Sequence, residues 1–230
     1  MSRVPPTLAR IPLFRTLDEA ALRQLDSRCT WRDVAAKQLI VDQEGQGTDV
    51  FFVLNGHLRV FVTLGGHETI LRDIHEGDFF GEMAALDRRV RSAGIVAIAD
   101  STLASMPAND FRKAIHTHPE VCDQILAALI GQVRMLANRV NESNGLSTKQ
   151  RLWAELLRLS FPSRTPPGLP VISPPPTHAD LASRVGSQRE TVTRELNTLE
   201  RAGLIARRRG AIELRNPEQL RHMVLSATEQ

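Results

Sequence analysis

Residues 177–205 read THADLASRVGSQRETVTRELNTLERAGLI, and the architecture turns on this stretch. Leu181, Val185, Val192, Leu196 and Leu199 keep helical spacing on either side of Gly186, which predicts two short helices that share one buried face across a tight turn. Ala182 is small where the two helices must nearly touch, Gly186 can take the positive φ of the turn, and Val192 closes the shared core. Arg189, Glu190, Thr193 and Arg194 then crowd the exposed front of the second helix. Read only as a solvated face, with Glu190 and Arg194 paired at i, i+4, this front is worth about 0.3 kcal/mol. Because small, glycine and apolar residues all fall at the offsets of a helix-turn-helix, a DNA-facing surface is the better reading.

Composition and charge bound what accompanies that surface. At 230 residues and 42% apolar content, two modest domains are expected. The first thirty residues are broken by Arg3, Pro5, Pro6, Arg10 and Pro12, and no apolar run approaches the roughly 20 residues of a membrane span, so a cytoplasmic protein is expected. Cys29 and Cys122 stand far apart without further cysteines, which favours reduced thiols over a disulfide or a metal site. Residues 177–223 hold nine Arg against six acids and so supply the whole net charge of +3. That placement predicts salt-sensitive attraction to phosphates.

Residues 30–106 break into short segments rich in Val, Ile, Phe and Thr between frequent glycines, the pattern of an antiparallel barrel or jelly roll, after a short helix around residues 18–28. Residues 49–54 and 57–64 flank Asn55-Gly56, which reads as a hairpin turn. Farther on comes GDFFGEMAAL at 77–86, then DRRVRSA at 87–93. In this cassette Gly81 lets backbone approach a ligand and the short helix beginning Glu82-Met83-Ala84 aims free N–H groups at an anion. Arg91 and Ser92 can add a cation and a hydroxyl to such an anion cradle. The structural alternative makes Gly81 a simple turn and Glu82 with Arg91 an ion pair.

From Pro119 a long helix is predicted to run to Asn144-Gly145. Its Cys122, Leu126, Leu129, Val133, Leu136 and Val140 repeat at spacings of 4 and 3 residues, an a/d seam that predicts pairing with a second copy, while Val121, Ile125 and Ile130 widen the stripe toward the β-roll. A further helix at 149–159 leads into residues 161–176, whose seven prolines read as a stiff surface loop with a short edge strand. After the second helix of the opening motif, residues 204–214 read as a hairpin wing turning near Arg209-Gly210. Arg207, Arg208 and Arg209 are then expected to face phosphates. The seven histidines are scattered, and His116 with His118 has no third ligand at a metal-site spacing. With no nucleophile elbow, Walker loop or redox dithiol, neither an enzyme nor a jelly-roll metalloprotein is expected, and no catalytic or metal residue is assigned.

Two runs carry a resemblance. Gly186 to Arg194, GSQRETVTR, is similar to the recognition helix of the cAMP receptor protein and fumarate-nitrate reductase regulator (CRP/FNR) family. The cassette at 77–93 resembles the phosphate-binding cassette of cyclic-nucleotide-binding domains, so the resemblance covers nearly the whole chain. It implies an α+β fold: an N-terminal β-roll (jelly-roll) cyclic-nucleotide-binding domain over residues 1–118, a long dimerisation helix over 119–145 and a C-terminal winged helix-turn-helix over 146–230. It further implies a homodimeric transcription regulator that binds a palindromic, TGTGA-like site in double-stranded DNA under the control of cAMP or cGMP. Arg189 and Arg194 would go to guanines and Glu190 to a cytosine amino group, with Thr177, Gln188 and Thr193 completing the DNA-facing set. Gly81, Glu82, Met83, Ala84, Arg91 and Ser92 would hold the nucleotide, and Leu126, Leu129, Val133, Leu136 and Val140 would form the dimer seam. A loop in the proline-rich segment would touch RNA polymerase. In cAMP-dependent members two hydroxyl-bearing residues of the dimer helix bond the purine. Gap-free counting sets those positions at Leu136 and Ala137, which cannot, and leaves Asn138 as the nearest amide. The alternatives are a regulator of the same fold with another effector or none, and a cyclic-nucleotide-binding module that controls an enzyme or channel.

Overall fold

Strand patterning in the first half of the chain is set by two separate cores. In the computed structural model, which describes residues 7–162 and 168–226, Val50–Asn55 is apolar along almost its whole length instead of alternating. Phe51 and Val53 point into one core while Val50, Phe52 and Leu54 point into another, so both faces of this strand are buried. The elements of the first half are α1 Glu19–Asp26, β1 Thr30–Val34, β2 Leu39–Val41, β3 Val50–Asn55, β4 His57–Leu64, β5 His67–His75, β6 Phe79–Phe80, α2 Glu82–Asp87, β7 Gly94–Ala97, β8 Ser101–Met106 and α3 Ala108–Thr117. Strands β1-β8-β3-β6 form one antiparallel sheet and β2-β7-β4-β5 a second. Val34, Leu58, Ile74, Phe80, Ile95 and Leu103 fill the space between them. The outer face of the first sheet is closed by Leu8, Ile11, Phe14 and Phe111, with Val121 and Ile125 of the next helix.

One expected turn is corrected by this topology. Asn55-Gly56 does not close a hairpin, because β3 pairs with β8 and β6 whereas β4 pairs with β5 and β7. The dipeptide is the corner where the chain leaves one sheet for the other. Gly56, at φ +119°, is required there because a Cβ would lie 2.0 Å from Ser101 Oγ. The true hairpin is β4–β5, whose Leu64 and His67 pair across Gly65-Gly66.

The chain divides into two compact units, Met1–Gln132 and Val133–Gln230. Helix α4, Pro119–Gly145, is thus shared: Val121 and Ile125 belong to the first core, while Arg139 and Glu142 pair with side chains of the second unit. In the second unit follow α5 Thr148–Leu159, β9 Phe161–Pro162, β10 Pro170–Ile172, α6 His178–Val185, α7 Arg189–Arg201, β11 Ile205–Arg208, β12 Ala211–Leu214 and α8 Pro217–Leu225. Part of the proline-rich loop, residues 163–167, lies outside the described residues. Strands β11-β12-β10-β9 make a small antiparallel sheet, and β11–β12 is the expected wing, with Arg208 opposite Ala211. Leu152, Leu156, Leu181, Val185, Val192, Leu196, Leu199 and Ile212 form the core beneath it. No helix among the described residues is long and apolar enough to cross a membrane.

Candidate functional site

The cassette is built around one buried guanidinium. Gly81 caps α2 in the left-handed region at φ +85°, and a Cβ there would come within 2.6 Å of Arg91 Nη1 and 2.7 Å of the Asp49 carbonyl. Its absence lets Arg91 donate to the Gly81 carbonyl (3.0 Å) and the Asp49 carbonyl (2.7 Å) with only 5% of the residue exposed. Backbone bonds from Glu44 N to Arg91 O and from Arg91 N to Gly45 O pin the strap around it, and its guanidinium lies 5.7 Å from the Phe51 ring centre. Burial pulls the Arg91 pKa down, while the Asp49 and Glu82 carboxylates oppose that shift. A buried cation whose hydrogen-bond partners are neutral carbonyls, with donors to spare, is prepared for an anion.

The expected neighbours take distinct places. Glu82 is 4% exposed and accepts from Gln132 Nε2 at 3.4 Å rather than bonding Arg91. Ala84 is buried, Met83 is exposed, and the Ser92 hydroxyl points to Met83 Sδ at 3.7 Å. Sequence reasoning missed Gln132. The signal was available, since Gln132 follows Val121 and Ile125 on the core-facing stripe of α4, where a polar side chain needs a partner. Leu136, Ala137 and Asn138 are exposed on the α4 segment of the second unit.

The apolar row of α4 is shifted from the one read in the sequence. Leu126, Ile130, Val133, Leu136 and Val140 are between 45% and 65% exposed, whereas Leu129 packs against the first core. Ile130, expected to face the β-roll, stands with the outward row because it sits one turn from Leu126 and three residues from Val133.

In the second unit the rear of α7 is fixed so that its front can stay free. Thr177 caps α6 in a reciprocal box with Asp180, Gly186 ends that helix at φ +62°, and Arg151 Nε donates to the Val185 carbonyl at 3.0 Å. Trp153 Nε1 donates to Glu195 at 2.9 Å and Lys149 Nζ lies 3.6 Å from the same carboxylate. On the front, Gln188, Arg189, Glu190 and Arg194 are exposed, with Arg194 resting against Thr191 Oγ1 at 3.3 Å. Thr193 Oγ1 lies 2.9 Å from the Arg189 carbonyl and 2.7 Å from His178 Nδ1, which ties the start of α6 to the front of α7. Burial, with Arg207 and Arg189 adding to it, holds the His178 imidazole below its usual pKa.

The three wing arginines separate. Arg208 reaches Glu213 at 3.4 Å and Arg209 is exposed at the turn, but Arg207 donates from Nε to Glu200 (2.9 Å) and from Nη2 to Asn197 Oδ1 (2.8 Å). Cys29 and Cys122 are free thiols, and burial beside Asp26 and Asp110 pushes Cys29 up to about 12.

A β-roll with an anion cassette, joined in one chain to a winged helix-turn-helix, defines a DNA-binding transcription regulator with a cyclic-nucleotide-binding domain. Residues 31–118 match the family described as cyclic nucleotide-binding domain, and residues 150–223 match the Crp-like helix-turn-helix domain. The cyclic AMP receptor protein of Thermus thermophilus is 32% identical over 170 residues, covering 74% of this chain and 76% of that protein. A structure of CooA from Carboxydothermus hydrogenoformans superimposes with a TM-score of 0.78 at 16% identity, covering 94% of this chain and 95% of that one, a likeness of fold. Lysophospholipase NTE1 of Cryptococcus neoformans is 31% identical over 121 residues, which are 53% of this chain but only 7% of that protein. This chain belongs to the CRP/FNR family of transcription regulators, and is not an enzyme.

Proposed function

We propose that the chain acts as a homodimer on a two-fold DNA site with TGTGA-like halves, and that a cyclic nucleotide in the cassette biases how tightly it binds. The observation that carries this reading is that α4 alone bears both Gln132, bonded to the cassette carboxylate Glu82, and an outward apolar row that continues past Val133. One helix therefore senses the cassette and offers the pairing surface. A ligand shifts DNA affinity only through its different affinity for the two states, so nucleotide and DNA must strengthen each other reciprocally. The test is a titration of labelled palindromic duplex with and without cAMP or cGMP. Full DNA binding unchanged by either nucleotide favours the regulator with another effector or none.

Arg194, exposed and lightly held, is expected to read a guanine. Arg194→Ala should cost about 1–3 kcal/mol on the selected site and far less on random duplex. Arg208→Ala should weaken both duplexes alike and flatten the salt dependence, as a phosphate contact does. Equal losses for Arg194→Ala on both duplexes would reduce it to a phosphate contact.

The purine end of the ligand is expected to be poorly discriminated. Leu136 and Ala137 have no polar side-chain group, and a purine amino group buried against them without a partner costs about 1–3 kcal/mol. Asn138 is the substitute, and an amide serves adenine or guanine. Calorimetry with both nucleotides should therefore give similar affinities, and a preference for cAMP of about a hundredfold (about 2.7 kcal/mol) would contradict this assignment. RNA polymerase is the further partner this family reading carries with it.

A further inference from the structure

We propose that Asn197 is an additional base-reading residue, aimed by a Glu200–Arg207 buttress, and that it selects a guanine inside each half-site. The inference rests on the DNA reading above. Asn197 lies one turn beyond Thr193 and three residues beyond Arg194, so it follows the same side of α7 toward its C-terminal half, where it is half-buried. Together with Arg194, Thr198, Glu200, Arg201 and Arg207 it lines an open concavity of about 570 Å3 between the helix and the first wing strand.

What distinguishes Asn197 from an ordinary surface amide is that its orientation is fixed. Glu200 accepts from the Arg207 backbone N–H (3.1 Å) and from Nε (2.9 Å), which locks the guanidinium plane across the helix. The same guanidinium then donates from Nη2 to the Asn197 side chain at 2.8 Å. An arginine has no acceptor, so the amide atom facing it must be the oxygen, and the Nδ2 group is turned away with both hydrogens unused by this contact. The two-point pairing of asparagine with adenine needs the amide oxygen to accept from N6; here one of its two lone pairs already serves Arg207, which handicaps that pairing and leaves the amide hydrogens as the free donors. A paired donor suits guanine, which offers N7 and O6 as adjacent acceptors in the major groove; cytosine, which presents an N4 donor, is disfavoured. Arg207 is accordingly a positioning residue rather than a phosphate anchor, which accounts for its separation from Arg208 and Arg209.

The test begins by selecting sites for the full-length chain from a randomised duplex library, followed by titration of the selected duplex and its single base-pair substitutions. Wild-type protein should favour one G·C pair that Asn197→Ala no longer distinguishes, with discrimination there falling from about tenfold or more to within about twofold. Arg207→Ala should relax the same base pair, and the double variant should relax it no further, since both changes break one relay. If Arg207 serves as a phosphate contact alone, its alanine variant weakens all duplexes by one factor and keeps every preference, which overturns the buttress. A selected site that Asn197→Ala recognises with unchanged preferences overturns the role of Asn197 while leaving the DNA reading intact. Recovery of no preferred sequence by the wild-type chain overturns the DNA reading itself. Circular dichroism of each variant, expected to match wild type because Asn197 and Arg207 lie outside the core, keeps misfolding apart from these outcomes.

Discussion

Glu155→Ala is expected to lower the stability of the C-terminal unit by about 3–5 kcal/mol, the range for removing one partner of a buried ion cluster. Glu155 is 1% exposed on α5. Around its carboxylate stand Arg184 of α6 at 3.4 Å, Arg139 of α4 at 3.6 Å and Arg158 of its own helix, which also holds Glu142 at 2.6 Å. Burial lowers the Arg139 pKa first, and the neighbouring Arg158 and Arg184 lower it further, so Glu155 is the charge that makes this gathering of cations tolerable. Removing it leaves like charges facing each other in a medium that screens them poorly. Glu155→Gln keeps the shape and loses the charge, and should retain only a minor part of the stability. The measurement is urea unfolding in a Trp31→Phe background, where Trp153, beside the cluster on α5, is the remaining indole. A loss below about 1 kcal/mol would mean that the cluster contributes no more than a surface pair.

Val133→Asp is expected to give a folded monomer that no longer binds a two-fold DNA site. Val133 is 65% exposed in the single chain, so the substitution leaves both cores untouched. In the proposed dimer the same position meets its symmetry mate. Two carboxylates would be buried there without a cation, at a cost of about 3 kcal/mol or more, which raises the dimer dissociation constant by over about a hundredfold. Sedimentation velocity reads the oligomer and duplex titration reads the consequence for DNA. A variant that stays dimeric at wild-type strength would move the interface away from the row Leu126, Ile130, Val133, Leu136 and Val140.

The division between what was legible and what was not follows the range of the interactions. The helix-turn-helix could be read because its determinants are local: a 3.6-residue period and a left-handed residue at Gly186 both act within a few positions. The cassette was legible for the same reason, since Gly81, α2 and Arg91 follow one another within eleven residues. Sheet pairing was not. Asn55-Gly56 carries a sound local hairpin signal, yet β3 finds its partners in β8 and β6, and only the two-sheet packing reveals that the turn is a corner. The outward row of α4 was displaced by one position because Leu129 and Ile130 are equally apolar, and the choice between them was made by the core that Leu129 joins.

By itself, the sequence determined the two domain types, the wing and the polar front of the second helix of the helix-turn-helix, each encoded by periodicity and turn chemistry close along the chain. Tertiary structure alone decided that Gln132 partners Glu82 across 50 residues, that Glu155 gathers arginines from three helices, and that Arg207 reaches across to Glu200 and Asn197 while its two neighbours do not. The physical reason is common to all three. A charged or amide side chain reads identically in sequence whether water or another side chain will satisfy it, and only the packing of one element against another chooses the partner.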